Sequence, residues 1–415
     1  MPRPFDGRRV LLGVTGGIAC YKSVTLARLL TQAGAAVDVV LTRSAAEFVG
    51  AITFEAVTGR PVHTALLDPG HALDHIRLAR AADAIVVAPA TADFMARAAQ
   101  GRADDLLTAC LLATEAPVLL VPAMNDRMWA HPATTRNGET LRGLGYHVLD
   151  PDEGPLAVGE GSGPGRMPEP DAILAHVGRV LEGGTGPLAG KRVVVTAGPT
   201  REAVDPVRYL SNRSSGKMGI ALAEAAWRRG ADVTLIAGPL SVAEPTGMRV
   251  VHVETTAEMA TAVGDALGNA EVLIMAAAPA DFRPASPAPG KIKKASAPAS
   301  LVLAPTQDIL ASTVDRRQAG AVVVGFALET HDAVSGGRAK LTAKRLDLVV
   351  VNDATESGAG FGVDTNRVTL LSADGAEEAL PLLSKHDVAD VILDRVGALL
   401  AGRRSPTTAP ARARR

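Results

Sequence analysis

Two stretches of this sequence bring together residue types that could hold an anion where a strand passes into a helix. In Gly13 to Lys22 (GVTGGIACYK), a β-branched run ends in paired glycines and enters a helical window. Glycine lets backbone approach a ligand closely, and the N–H groups at a helix start favour a phosphate. In Thr196 to Gly219 (TAGPTREAVDPVRYLSNRSSGKMG), a second strand end runs through a polar loop into a helix near Lys217. Ser214, Ser215 and Gly216 supply cap and close-approach chemistry there. Neither stretch is the GxGxxG of a dinucleotide fold, which argues against an NAD(P)-dependent oxidoreductase on tandem Rossmann-like units. The Gly216-Lys217 pair does not meet the P-loop spacing.

Lysine placement is a further signal. Only nine of the 43 basic residues are lysine, and five of those are Lys291, Lys293, Lys294, Lys340 and Lys344. Lys340 and Lys344 stand i,i+4 and share a helix face, a like-charged pairing that a polyphosphate between them would explain. A solvated basic loop and helix face explain the composition equally well. His75 in DHIRLAR and Asn125 in PAMNDRMW, with APATADFMA (Ala88–Ala96) and GRADDLL (Gly101–Leu107), fall beyond strand ends or in loops. Ligands of open α/β sheets gather at that edge. Singly, His75 reads as a capping residue and Asn125 as a turn; their order and spacing make coincidence a poor account.

The elements that must position these residues alternate along the chain. Strand candidates are Val10–Val14, Val37–Leu41, Ala84–Val87, Val118–Val121, Val193–Thr196, Val233–Ile236, Val250–Val253, Val272–Met275, Val322–Phe326, Leu348–Val351 and Val368–Leu371. Helical windows such as Cys20–Gln32 and Met218–Arg229 lie between them. Apolar strand runs separated by helices predict parallel sheets covered on both faces. The Gly-rich stretch Glu182–Gly190 precedes a restart of the strand–turn–helix pattern. It separates a domain of residues 1–185 from one of 190–402, with 403–415 a basic disordered tail. Lys294–Ser300 (KASAPAS) reads as a mobile loop.

Composition narrows the function classes. A chain of 415 residues suits two cores. Aromatics are only 3% and net charge is −1, so neither a base-stacking platform nor a field for nucleic acid or an anionic membrane is present. No apolar run reaches membrane-spanning length. Cys20 and Cys110 stand far apart in no metal spacing, which fits a reducing compartment, and a cytoplasmic enzyme is expected.

GGIACYK, HIRLAR, APATAD, PAMN and GSGPGRM together resemble the flavin-dependent cysteine decarboxylase family over roughly residues 8–180. The resemblance implies a flavodoxin-like, FMN-binding domain with its site at a trimer interface. Gly16, Gly17 and Ile18 would hold the FMN phosphate, His75 would act in oxidative decarboxylation, and Asn125 would bind the substrate carboxylate. A plain carboxylate does not lose CO₂ readily; oxidation of the neighbouring thiol by flavin to a thioaldehyde supplies the electron sink, and the resulting ene-thiol is then reduced. The family places Cys where this chain has Val158, in GPLAVGEGSGPGRM. Glu160, a water, Cys20 or Cys110 would have to supply the final proton, or the domain is a flavin-binding regulator with impaired decarboxylation.

AGPTRE, DPVRYLSN, SSGKMG, AAAPADF, KIKK, TQDI, GFALET and VVNDAT resemble, in order, the phosphopantothenate–cysteine ligase family across residues 191–400, a Rossmann-like parallel-sheet domain. The two resemblances together describe a bifunctional enzyme of coenzyme A biosynthesis. Asn212 would bind the acyl-nucleotide intermediate, and Lys291 would serve the attack by cysteine. Ala278, Asp281, Lys291, Gln307, Asp308, Ile309, Phe326, Lys340 and Lys344 would form the CTP site, and Arg208 would handle phosphopantothenate. CTP and Mg²⁺ would activate 4′-phosphopantothenate as an acyl-cytidylate, which cysteine opens. The metal's protein ligands are unassigned. Ligase dimers and decarboxylase trimers are the implied homo-oligomers.

Overall fold

A computed structural model describes residues 5–67, 72–156, 159, 161–293, 300–329, 332–353 and 362–404. Val158, Glu160 and most of the KASAPAS loop lie outside the described residues. The chain separates into two compact units, Met1–Gly184 and Thr185–Arg415.

The first unit contains strands β1 (Arg9–Val14), β2 (Ala36–Leu41), β3 (Val62–His63), β4 (Ala84–Ala90), β5 (Val118–Pro122) and β6 (His147–Val148), followed by a hairpin of β7 (Asp152–Pro155) and β8 (Ser162–Arg166). The six form one parallel sheet in the order β3-β2-β1-β4-β5-β6. Without the two-residue edge β3, the remaining strands run 2-1-3-4-5, the flavodoxin order. Alternate side chains go to opposite faces. Val10, Leu12 and Val14 of β1 enter one core with Val37, Val39 and Leu41 of β2. Leu11 and Val40 enter the other with Ile85, Val87 and Leu120. Both faces are covered, so these strands read as continuous apolar runs rather than alternating ones. Each fully buried Leu or Ile contributes about 1.5–3 kcal/mol of apolar transfer.

The second unit contains β9 (Arg192–Ala197), β10 (Arg201–Ala203), β11 (Tyr209–Ser211), β12 (Asp232–Ala237), β13 (Arg249–His252), β14 (Val272–Met275), β15 (Phe282–Pro284), β16 (Leu303–Pro305), β17 (Val322–Glu329), β18 (Leu348–Asp353), β19 (Thr365–Asn366), β20 (Val368–Ser372), β21 (Glu377–Ala379) and β22 (Leu383–Ser384). Its main sheet runs β13-β12-β9-β14-β17-β18-β20-β21. The first six strands are parallel, with β9 and β14 at the switch point. The last two depart from the all-parallel expectation. Val368 of β20 starts opposite Asn352, near the end of β18, so the chain runs back antiparallel beside the strand it has just left. Pairs β10–β11, β15–β16 and β19–β22 lie outside the main sheet.

The final helix spans Lys385–Arg404. It takes in Arg403 and Arg404, which the sequence reading gives to the tail; Arg403 is anchored because its guanidinium donates to the Gly320 carbonyl at 2.9 Å. Among the described residues, no helix is long and apolar enough to cross a membrane.

Candidate active sites

In the first unit, β1 and β4 are neighbours whose chains continue into loops at the carboxyl edge of the sheet. Thr15, just past β1, is buried, donates to the Pro89 carbonyl at 2.8 Å, and accepts from the Thr91 N–H at 3.1 Å. This pair of bonds ties the two loops at the switch point. Gly16 then packs on the short helix Arg43–Ala46 that follows β2, where an added Cβ would lie 2.4 Å from Ser44 Cβ. Only glycine fits there. Ile18 projects outward, 68% exposed, an unusual place for an isoleucine. The helix Cys20–Gln32 opens immediately afterwards, with no side-chain cap and no acidic residue in its first turn. Backbone N–H groups and the positive helix end therefore face the loop that the sequence assigns to FMN phosphate.

His75 lies in the first turn of the helix Asp74–Ala81, which leads into the start of β4 and so begins at the carboxyl edge. Its Nδ1 is buried with no hydrogen-bond partner among the described residues, a polar atom that a bound group would satisfy. The preceding Asp74 is buried and engages Arg77 at 3.0 Å and His63 at 3.3 Å. Asn125 caps the helix Asp126–Ala130, its side-chain oxygen accepting from the Arg127 N–H at 3.0 Å. The same turn is held by β8, because the Met124 N–H donates to the Gly165 carbonyl at 3.0 Å. Just beyond β8, buried Lys22 donates to the Met167 carbonyl at 2.7 Å and to Glu169 at 3.0 Å. It thereby links the base of the hairpin to the first helix, a connection the sequence reading missed. Cys110 is buried with its Sγ 3.6 Å from the His75 carbonyl, and burial, reinforced by Asp105 and Asp74, pushes its thiol up to about 12. Cys20 is also shifted upward by burial. The upward shifts keep both thiols protonated at neutral pH and make them weak acids, so neither gives up its proton readily there.

The second unit holds a cavity of about 440 Å³ at the carboxyl edge of its sheet. Eight of the nine residues that the sequence groups as a CTP site line it: Ala278, Asp281, Gln307, Asp308, Ile309, Phe326, Lys340 and Lys344. Asn212 lines it too, its amide nitrogen donating to the carbonyls of Ala278 (3.2 Å) and Pro279 (3.0 Å). Gly216 enters the helix Lys217–Arg228 at φ +84°, where an added Cβ would sit 2.4 Å from Leu240 Cδ2. The helix start has no side-chain cap; Ser214 instead accepts from the Gly216 N–H at 3.3 Å.

The two helix-face lysines are held apart by different anchors. Lys340 donates to the Phe326 carbonyl, and Lys344 pairs with Asp308 at 2.8 Å. Burial opposes ionisation of Asp308, but its bond from Lys344, the Ala311 N–H and the charge of Lys340 together hold its carboxyl below the usual range. Two cavity lysines went unassigned in the sequence reading. Lys217 reaches Asp364 at 2.6 Å and the Gly362 carbonyl at 3.0 Å, and buried Lys385 donates to the Val363 carbonyl at 2.6 Å. Burial, then the charge of Lys217, lowers the ammonium pKa of Lys385. Buried Asn352 and Asn366 bond to each other at 2.7 Å on the same wall. The scarcity of lysine was the usable signal: of the four lysines outside the two clusters, two face this cavity.

Lys291 is not among the lining residues; it borders a separate depression with Val204, Ser286 and Ile292. Among the described residues, no group of three or more His, Cys, Asp or Glu could hold a metal ion. Magnesium commonly arrives carried by phosphates with one or two carboxylates rather than in a protein cage, and this cavity has that character.

Two sheets of nucleotide-binding type, each gathering polar groups at a carboxyl edge, make this a two-unit α/β enzyme. The flavoprotein family model matches residues 2–182, and that of the DNA/pantothenate metabolism flavoprotein C-terminal domain matches 188–400. The chain is 49% identical over 407 residues to the coenzyme A biosynthesis bifunctional protein CoaBC of Mycolicibacterium smegmatis (strain ATCC 700084 / mc(2)155), covering 95% of this chain and 98% of that one. It is 46% identical over 398 residues to the CoaBC protein of Bacillus subtilis (strain 168), again covering 95% and 98%. A crystal structure of the C-terminal domain of a CoaBC protein is 36% identical and covers 52% of this chain and 100% of that chain, with a TM-score of 0.45. The chain belongs to the bifunctional coenzyme A biosynthesis family. It joins a flavoprotein decarboxylase half to a ligase half.

Proposed function

We propose that residues 190–402 join 4′-phosphopantothenate to cysteine using CTP and Mg²⁺, and that residues 1–185 then release CO₂ from 4′-phosphopantothenoylcysteine with FMN to give 4′-phosphopantetheine. The observation that carries the reading is the lysine-walled cavity, which collects Asn212 and eight of the nine residues expected for CTP around one volume. Lys340 and Lys344 neutralise the triphosphate as the pantothenate carboxylate attacks the α-phosphate and pyrophosphate leaves. Asn212, its amide fixed on two carbonyls, orients the acyl-cytidylate. In the second step the cysteine nitrogen bonds to the carbonyl carbon. The bond to cytidylate breaks with its electron pair on the phosphate oxygen, and the amine proton passes to solvent. Lys291 serves this step.

Gly16, Gly17 and Ile18 hold the FMN phosphate with backbone N–H groups at the start of the first helix. Bound FMN supplies the oxidation at the thiol-bearing carbon that makes the neighbouring carboxylate able to leave as CO₂, and the later reduction. Asn125 commits its oxygen to the Arg127 N–H, which turns its NH₂ end toward the substrate carboxylate. His75 handles a proton, with its buried Nδ1 partnered by the bound group. Glu160 is the proposed final proton source in place of the family cysteine at Val158. Trimers of the first unit, dimers of the second and a cytoplasmic setting are part of the same reading, the last supported by two free, buried cysteines.

The ligase half is tested by phosphopantothenate-dependent release of pyrophosphate from CTP, and the flavin half by the absorption spectrum of the purified protein. Both signals are expected. Pyrophosphate release that ignores phosphopantothenate, or a protein without flavin bands, would contradict the respective half.

A further inference from the structure

We infer that Asp205 is a positioning residue for Lys291 in the amide-forming step, acting through the backbone of Ile292. The inference rests on the role proposed above for Lys291. Asp205 sits in the turn between β10 and β11 and is 3% exposed. Its Oδ1 accepts from the Val207 N–H at 2.8 Å and the Arg208 N–H at 2.9 Å. Its Oδ2 accepts from the Arg208 guanidinium and, 87 residues along the chain, from the Ile292 N–H at 3.1 Å. The same guanidinium donates to the Ile292 carbonyl at 2.7 Å. Both backbone polar groups of the residue after Lys291 are therefore gripped by one carboxylate–guanidinium pair.

Closing the turn does not require that reach, since an Asp side chain bonded to the two following N–H groups closes it alone. A second tie lies four residues earlier, where the Ala288 N–H donates to the Val204 carbonyl at 2.9 Å. The segment is thus pinned to the turn at 288 and 292, and the exposed side chain of Lys291 projects from between the pins. A buried carboxylate is costly unless fully bonded, and charge-assisted bonds to it are stronger than neutral ones. This makes Asp205 a stiff support for the backbone that carries the lysine. A backbone shift of about 1 Å at such a support can slow a positioned step on the order of 100-fold.

The test uses the full-length chain and separates the two half-reactions. One assay follows single-turnover pyrophosphate release without cysteine; the other follows capture by cysteine of acyl-cytidylate formed beforehand, by quench and mass. With 4′-phosphopantothenate saturating, which offsets a loosened Arg208, Asp205→Asn should leave the rate of pyrophosphate release within about 2-fold and slow capture by about 10- to 100-fold. Ile292→Pro removes the N–H that Asp205 grips and leaves the turn's own bonds in place, while its ring also fixes φ at 292 and restricts Lys291, so it should slow capture at least as much as Asp205→Asn. Lys291→Gln should slow capture at least as much, and adding Asp205→Asn to it should slow capture no further. The melting profile and the retained pyrophosphate release report whether the second unit of each variant folds. Equal losses in both half-reactions, multiplying effects in the double variant, or normal capture in Ile292→Pro would overturn the inference. Normal capture in Lys291→Gln would instead overturn the role of Lys291, and the inference with it.

Discussion

In the proposed function the two units solve anion binding in opposite ways from similar sheets. In the first, the loop after β1 offers backbone: Gly16, Gly17 and an uncapped helix start, with the nearest lysine, Lys22, buried and spent on Met167 and Glu169. In the second, the corresponding helix start is supplemented by Lys217, Lys340, Lys344 and Lys385 around one cavity. Backbone N–H groups suit a single phosphate that stays bound, because they are fixed in place and lose little freedom on binding. Ammonium groups on long side chains suit a triphosphate whose charge must be redistributed and whose product must leave.

This contrast can be broken most sharply at Gly16. Gly16→Val should weaken FMN binding by about 100-fold or more, since its side chain would occupy the space of Ser44, while CTP-dependent ligation proceeds at the original rate. Flavin retained on gel filtration would refute the backbone cradle. Lys340→Met should lower kcat/KM for CTP by roughly 100-fold with the flavin spectrum unchanged. A loss shared by both activities would mean that the lysine supports the fold instead. Salt gives a smaller, graded contrast: raising ionic strength shortens the Debye length from about 10 Å at 0.1 M, so the KM for CTP should climb several-fold while flavin occupancy holds. Equal sensitivity would erase the distinction.

The smallest effect concerns the thiols. The pKa of Cys110 is raised by burial, so the stability from keeping it neutral is fully present below its unfolded value of about 8.5 and is lost as pH climbs toward about 12. At pH 8 neither Cys110 nor Cys20 should react with a thiol reagent in the native protein, and both should react in denaturant. Rapid native labelling would show that one of them is accessible enough to be a proton source.

Much of this was legible in the sequence because fully buried strands leave continuous β-branched runs. All eleven runs fall on strands, Val253 alone lying past the end of its strand, and Cys20–Gln32 is a helix with those bounds. The flanking pairs β10–β11, β15–β16 and β19–β22 were not, since strands of two or three residues carry no periodicity. The hairpin strand Ser162–Arg166 (SGPGR) has none of the residues that favour a strand; it forms because it packs on the Met124–Asn125 turn. Lys217 and Lys385 were missed as cavity residues for a different reason. They stand 168 positions apart, and nothing local to either says that the fold closes both on the segment Gly362–Asp364. Asp205 was likewise visible only as part of a motif; its reach to Ile292 is tertiary.

The central claim is that both halves are active and consecutive. It is tested most directly by supplying the purified protein with 4′-phosphopantothenate, cysteine, CTP and Mg²⁺ and following products by mass. The account predicts 4′-phosphopantetheine with one CO₂ released for each CTP consumed. Accumulation of 4′-phosphopantothenoylcysteine would contradict it, leaving a ligase joined to a flavin unit that does not decarboxylate.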